Sequence, residues 1–243
     1  MFANDHDHKL ERAFYAAIGY MKGTDAGSFL LDVKTAEDII VYIELPENMN
    51  AGFKGNHEKS NTAMTLFWDP EAANEYPSRW VASPTVILAH ESRHLAQYLF
   101  DFGRYTEPLE KYGNPREKDA IVTWETEVYN HIHGKSFKQT RYSHNMKNSS
   151  VYLVRGGVAS THAQELRRNG GQVGYKFDSK NNRTNTGGYK TGSRYLKYYG
   201  VERTGTNYSG RQVDPEEKKQ FKQKFKPKYV KDAAGNKVGV GSQ

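Results

Sequence analysis

The sequence contains no cysteine among its 243 residues. This absence excludes a disulfide framework, a thiol nucleophile and any zinc or iron–sulfur site that needs thiolate ligands. No apolar run reaches the length of about 18 residues that a membrane-spanning helix needs, so no membrane span is predicted. We find neither the pattern of a general secretory signal, nor a glycine-rich phosphate loop, nor a G-x-S-x-G nucleophile turn. Any catalytic chemistry must therefore use other side chains.

Charge is distributed unevenly along the chain. Residues 1–134 hold 21 acidic and 12 basic side chains, whereas residues 135–243 hold 7 acidic and 23 basic ones. The change in composition predicts a compact catalytic domain over residues 1–150 and a basic extension, rich in glycine, tyrosine and lysine, over residues 151–243. The basic part is interpreted either as a solvated, loosely ordered tail or as a region that binds an anionic surface or an acidic partner.

Hydrophobic periodicity predicts a mixture of helices and strands, and the expected fold class is α+β. Helices are predicted over residues 7–23, 84–100, 115–133 and 162–168. Strands are predicted over residues 38–44, 62–68 and 151–154. Residues 29–32 suit either a strand or a helix, and Asp214-Pro215 predicts the start of a Lys-rich helix.

The segment His90-Glu91-Ser92-Arg93-His94 carries the H-E-x-x-H pattern. Two imidazoles four residues apart lie one turn from each other on the same helical face, so they can bind one Zn²⁺ ion. Glu91 would then face a water molecule at the metal and accept its proton as a general base. On a helical wheel Glu91 also falls within an apolar arc, where a carboxylate is costly without a partner. The alternative is a surface helix with incidental histidines.

A third metal ligand is expected from the helix predicted over residues 115–133. Glu117 lies within the apolar stripe of that helix and in its first turn, where the helix dipole favours an ionised carboxylate. Glu125 lies near the edge of the stripe and would face inward if the helix were rotated by about 50°. The two are eight residues apart, a rise of about 12 Å, so one ion cannot be bound by both. We predict Glu117 as the ligand and keep Glu125 as the alternative, with Asp119 as a supporting acid.

A donor for the developing oxyanion is also needed in such a site. Tyr129, Tyr142 and His144 lie downstream of the two helices, and the sequence does not rank them.

Three segments resemble the NleD-like effector zinc metallopeptidases. They are residues 65–70 (TLFWDP), residues 83–94 (SPTVILAHESRH) and residues 115–120 (PREKDA). The resemblance covers about residues 10–145 and implies a zincin-like catalytic domain. It implies that His90 and His94 bind zinc, that Glu91 is catalytic, and that Glu117 corresponds to the acidic motif downstream. Members of this family are injected bacterial effectors or toxin modules.

The expected function is zinc-dependent hydrolysis of peptide bonds in a protein substrate, in a bacterial effector or toxin. Such a protein would be secreted without a classical signal peptide and delivered into a target cell, although a cytoplasmic protein would fit the sequence equally well. One alternative is a zinc peptidoglycan peptidase or amidase whose basic part grips the cell wall. A second alternative is a basic protein without enzymatic activity that binds nucleic acid or a membrane.

Overall fold

Helices, two larger sheets and a separate two-stranded pair make up the described part of the chain in a computed structural model, which bears out the α+β class. The structure describes residues 8–36, 41–46, 51–55, 64–77, 80–106, 115–141, 146–169, 175–180, 182–185, 229–231 and 237–239. The helix predicted after Asp214 lies outside these residues.

Two helices begin the described part of the chain. Helix α1 spans Lys9–Tyr20, and its buried side chains are Leu10, Phe14, Ala17 and Ile18, as their helical spacing predicts. Helix α2 spans Asp25–Thr35 and resolves the ambiguous pattern at residues 29–32 in favour of a helix. The Thr24 side chain caps α2 by accepting a hydrogen bond from the Gly27 backbone N–H.

A three-stranded sheet follows, in the order β1-β3-β2. Strands β1 (Val41–Glu44), β2 (Ala51–Lys54) and β3 (Met64–Trp68) form it, with β1 parallel and β2 antiparallel to β3. Alternate residues of β3 are buried, so one face packs on the core. The indole N–H of Trp68 donates a hydrogen bond of 2.7 Å to the Pro84 carbonyl, which ties this sheet to the start of the next helix.

A second, five-stranded antiparallel sheet has the order β5-β4-β6-β7-β8. Its strands are β4 (Ala72–Glu75), β5 (Val81–Ala82), β6 (Ser150–Leu153), β7 (Tyr175–Phe177) and β8 (Arg183–Asn185). The boundary predicted at residue 150 thus falls at the start of β6, which pairs with β4. Helix α7 (Ala163–Arg168) packs on this sheet, and strands β9 (Tyr229–Lys231) and β10 (Lys237–Gly239) form a separate pair.

Helix α3, Pro84–Phe100, crosses the centre of the molecule. The Ser83 side chain caps it and Pro84 occupies its first turn, as the sequence predicts. Arg93 is the one residue between Pro84 and Gln97 that is not buried, so the alternative of a surface helix is wrong. The first turn of α3 is held by the second half of the chain, because the Thr85 N–H and hydroxyl both donate hydrogen bonds to the Val158 carbonyl at 3.0 Å.

The helix predicted over residues 115–133 forms, but it is not regular. It consists of α5 (Pro115–Ala120), a π-helical segment (Ile121–Glu125) and α6 (Thr126–His133), which Gly134 ends in a left-handed conformation. The short helix α4 (Phe102–Tyr105) lies between α3 and α5. No helix in the described ranges is both long enough and apolar enough to cross a bilayer.

Candidate metal centre

Three side-chain atoms from two helices converge on one point. They are Nε2 of His90 and Nε2 of His94, both on α3, and Oε2 of Glu117 on α5. Each pair of these atoms is 3.2 Å apart, so the three form an equilateral triangle. All three residues are buried. The structure therefore brings together the three residues that the sequence singled out as ligands, in a cluster that could hold a metal ion.

The far nitrogen of His94 is held by an amide. Its Nδ1 lies 2.9 Å from Oε1 of Gln97, one turn along the same helix. The Gln97 Nε2 group donates to the Asp119 carboxylate at 2.7 Å and to the Arg116 carbonyl at 3.1 Å. Because both partners of Nε2 are acceptors, the amide oxygen must face His94 and accept from Nδ1–H. The lone pair of His94 Nε2 therefore points into the triangle.

The far nitrogen of His90 is held by a carboxylate instead. Its Nδ1 lies 2.8 Å from Oε2 of Glu125, the residue that the sequence left as the alternative ligand. Glu117 and Glu125 thus contact opposite nitrogens of the same imidazole ring. Burial lowers the pKa of His90, but hydrogen bonds to the two carboxylates outweigh it and raise that pKa to about 9. Without a metal, a proton on this imidazole balances the two acidic groups.

The π-helical segment explains how both glutamates face His90. In a regular α-helix at about 100° per residue, residues eight positions apart point about 80° away from each other. A π-helical turn contains one extra residue, so Glu117 and Glu125 are related as if they were seven apart, within about 20° of two full turns. The Thr126 hydroxyl stabilises the wide turn by donating a hydrogen bond of 2.6 Å to the Ile121 carbonyl, five residues back.

Glu125 is in turn paired with Arg141, a residue that the sequence analysis did not single out. The guanidinium donates through Nε to Oε1 at 2.9 Å and through Nη2 to Oε2 at 2.7 Å. Both side chains are buried. Burial raises the pKa of Glu125, but the charge of Arg141 together with the hydrogen bonds from His90 and Arg141 outweighs burial and holds that pKa far below its usual range. Nothing in local spacing links the two residues, whereas Gln97 lies on the predicted face of α3, three residues after His94.

Glu91 differs from these carboxylates because none of the described residues donates a hydrogen bond to it. Its side chain is buried. Burial raises its pKa, while the nearby histidines His90 and His94 act in the opposite direction. Burying a carboxylate without a hydrogen-bond donor costs folding free energy, and a catalytic role is one reason why a protein keeps such a group.

The second oxygen of Glu117 and the carboxylates of Asp119 and Glu127 contact residues outside the triangle. Arg116 donates through Nη2 to Oε1 of Glu117 at 3.2 Å, which leaves Oε2 for the triangle. Asp119 accepts hydrogen bonds from Arg93 at 2.7 Å and from Gln97. It therefore supports His94 indirectly, through Gln97, as predicted. Glu127 points away and accepts the N–H of Asp25 at the start of α2.

Of the three candidate oxyanion donors, Tyr129 lies within the described residues, and it is not part of this cluster. Tyr129 packs edge-on against Trp80 and beside His133. Tyr142 and His144 lie outside the described residues.

Comparisons of the chain with protein-family models, with curated proteins and with solved structures found no match.

Proposed function

We propose that this protein is a zinc-dependent peptidase with a zincin-like catalytic domain, in which His90, His94 and Glu117 bind Zn²⁺ and Glu91 is the general base. The observation that carries the proposal is the triangle of donor atoms. Two imidazole nitrogens and a carboxylate oxygen, all buried and 3.2 Å apart, meet at one point, and once the His90 proton has left, their lone pairs repel one another unless a metal cation lies between them.

The size and composition of the triangle fit zinc. Ligands at about 2.0–2.1 Å in a tetrahedral arrangement lie about 3.3–3.4 Å from one another, close to the observed separations. Two histidines and one glutamate leave a fourth position open, which is the arrangement of catalytic rather than structural zinc sites. The same donor set also suits non-haem iron, and Glu91 within the H-E-x-x-H pattern favours zinc.

The chain's own residues supply the acid–base chemistry. A bound zinc ion polarises a carbonyl group and makes water nucleophilic near neutral pH. Glu91 accepts the proton of the attacking water and delivers it to the leaving amine. Its raised pKa and its lack of a competing hydrogen-bond donor among the described residues suit both halves of that transfer. Glu125 and Gln97 keep the two imidazoles oriented while this occurs.

The resemblance to NleD-like effector metallopeptidases supports a biological role. We propose that the protein is a secreted bacterial effector or toxin, delivered without a classical signal peptide, that cleaves a protein in the target cell. The basic region after residue 150 would bind an anionic surface or an acidic partner.

Metal content is the direct test of the site. Elemental analysis of the purified protein should find about one equivalent of zinc, and iron in its place would contradict the metal assignment. Glu117→Ala should lose the ion, whereas Glu125→Ala should keep it with lower affinity. Glu165→Ala, at an exposed glutamate, is the matched control. Loss of zinc from Glu125→Ala with full retention in Glu117→Ala would reverse the assignment of the ligand.

Activity is tested on two substrate classes in parallel. A lysate of target cells and purified peptidoglycan sacculi are each incubated with the zinc-loaded protein and with Glu91→Ala. Protein cleavage by the wild type alone is expected. Release of wall peptides without protein cleavage would replace the proposed substrate with peptidoglycan.

A further inference from the structure

We propose that Arg141 is a positioning residue of the metal centre: by holding both oxygens of Glu125, it orients His90 so that Nε2 faces the metal. The inference rests on the proposed zinc site and adds a residue that the H-E-x-x-H pattern does not contain.

Hydrogen bonds from Arg141 and Thr140 fix the plane of the Glu125 carboxylate. The guanidinium has no acceptor atom and presents its donors in a fixed plane. Its Nε and Nη2 atoms each approach a different oxygen of Glu125, at 2.9 and 2.7 Å. The Thr140 hydroxyl donates to the same Oε1 at 2.8 Å. With three donors in place, the carboxylate plane cannot turn without breaking a short hydrogen bond.

The fixed Glu125 carboxylate determines which ring nitrogen of His90 carries the hydrogen. The fixed Oε2 of Glu125 is an acceptor 2.8 Å from Nδ1, so in the neutral, metal-binding form of His90 the one hydrogen is on Nδ1 and Nε2 offers its lone pair. The opposite tautomer would have Nδ1 accept from Nη2 of Arg141, which is 3.4 Å away. The shorter contact to a charged acceptor decides between them. Arg141 therefore acts on the metal ligand through Glu125, and not by direct contact with the metal.

The segment that follows α6 positions Arg141 beside Glu125. Gly134 ends α6, and the chain then runs back along that helix as a return segment, residues 134–141. Asn130 pairs with the Phe137 backbone in both directions, and the Thr140 N–H donates to the Thr126 hydroxyl. The ring of Tyr76 lies under the guanidinium, 4.7 Å from its carbon. The position of Arg141 is thus determined by packing on several sides.

The experiment measures zinc affinity by competition with a chromophoric chelator. Arg141→Met should weaken zinc binding by about 10–100-fold, the usual effect of removing an outer-shell partner. Arg104→Met removes an exposed arginine paired with Asp101 and is the matched control, with unchanged affinity expected. Arg141→Lys should restore little, because an ammonium cannot hold two carboxylate oxygens in one plane.

A double-mutant cycle separates positioning from general destabilisation. If Arg141 acts through Glu125, then Arg141→Met should have little further effect on zinc affinity in a Glu125→Gln background. Full additivity of the two substitutions would overturn the inference.

A measurement on the wild type covers the case in which Arg141→Met does not fold. Nitrogen-15 NMR of the imidazole rings in the zinc-loaded protein should find the His90 proton on Nδ1. A proton on Nε2, or Arg141→Met that binds zinc as tightly as the wild type, would overturn this inference alone. A wild type that binds no zinc would overturn the proposed function and this inference with it.

Discussion

At the scale of single residues, the two histidines are held by chemically different partners. His94 donates to a neutral amide, Gln97, whereas His90 donates to an ionised carboxylate, Glu125. A carboxylate partner makes an imidazole a stronger electron donor than an amide does. The two nitrogens that would bind the proposed metal are therefore unequal, although the H-E-x-x-H pattern treats them alike.

Glu91 is expected to promote catalysis while lowering the stability of the fold. Glu91→Gln keeps the shape of the side chain and is not at a ligand position, so zinc content should not change. Turnover should fall by about 10²–10⁴-fold, because the positioned base is removed. Without a metal, the variant should melt a few degrees higher than the wild type, since it lacks a buried carboxylate to which none of the described residues donates a hydrogen bond.

Peptidase assays and differential scanning calorimetry with a chelator test both parts of this prediction. The exposed substitution Glu165→Gln serves as the control. Turnover close to that of the wild type would refute the role of Glu91.

The metal-free protein should lose stability as the pH rises from about 7 to 9. The pKa of His90 is raised to about 9 in the folded chain, above the value of about 6.5 for an unfolded histidine. Between these values the folded chain holds a proton that the unfolded chain has released, so the free energy of unfolding falls as pH increases. Zinc affinity should rise over the same range, because the competing proton is lost.

Urea unfolding at several pH values in the presence of a chelator measures this slope. His90→Asn should flatten it. An equal slope in the variant and the wild type would mean that other groups cause the dependence.

Residue spacing alone was enough to predict that His90, His94 and Glu117 form a cluster, but not which residues lie behind them. His90, Glu91 and His94 lie on one predicted helix, and Glu117 stands out as a charge within an apolar stripe. Arg141 could not be predicted, because its contact with Glu125 depends on how the chain folds back after α6. Burial and charge pairing are properties of the tertiary structure, and single-sequence periodicity does not contain them.

At the scale of elements, the π-helical segment decides which glutamates reach His90. Deleting Val122, whose side chain is 39% exposed, should convert the wide turn to a regular helix with little loss of core packing. Glu117 and Glu125 would then be seven residues apart in a regular helix, within about 20° of two full turns, which is the relation that the wide turn already gives them. Since α6 is anchored by the buried Val128, both carboxylates should stay on the imidazole.

Zinc affinity of the deletion variant should therefore stay close to that of the wild type. Val122→Ala keeps the chain length and the wide turn and should also bind zinc normally. A deletion variant that binds zinc as weakly as Glu125→Ala would contradict this account of how the wide turn relates the two glutamates.

Elements with strong periodicity or end signals could be predicted, and weakly patterned ones could not. Helix α3 has both an N-cap serine and a proline in its first turn, and β3 alternates clearly between buried and half-buried residues. Strands β2 and β4 consist mainly of alanine, glycine, asparagine and charged residues, which have low strand propensity, so their pairing partners determine them. The π-helical turn has no signature in the apolar period, which explains why a regular helix was expected.

At the scale of the whole molecule, the second half of the chain supports the helices that carry the candidate metal centre. Strand β6 pairs with β4 on one side, and the Val158 carbonyl holds Thr85 at the start of α3. A chain that ends after residue 150 should therefore fail to unfold cooperatively and should not bind zinc.

A chain that ends after residue 185 retains the three-stranded and five-stranded sheets and should bind zinc like the full-length protein. Thermal unfolding and zinc titration of the two truncated chains test this prediction. A folded, zinc-binding chain of 150 residues would show that the first domain is independent, as the change in composition suggests.

The return segment has a consequence for the order in which the molecule folds. Glu125 and Arg141 are separated by 16 residues, His90 and Glu117 by 27, and Thr85 and Val158 by 73. Contacts between near neighbours in the chain close early, because they confine less of the unfolded polymer. The support behind His90 should then exist before the metal ligands meet, and zinc should slow unfolding much more than it accelerates folding. Stopped-flow rates with and without zinc would reveal the opposite order as a large acceleration of refolding.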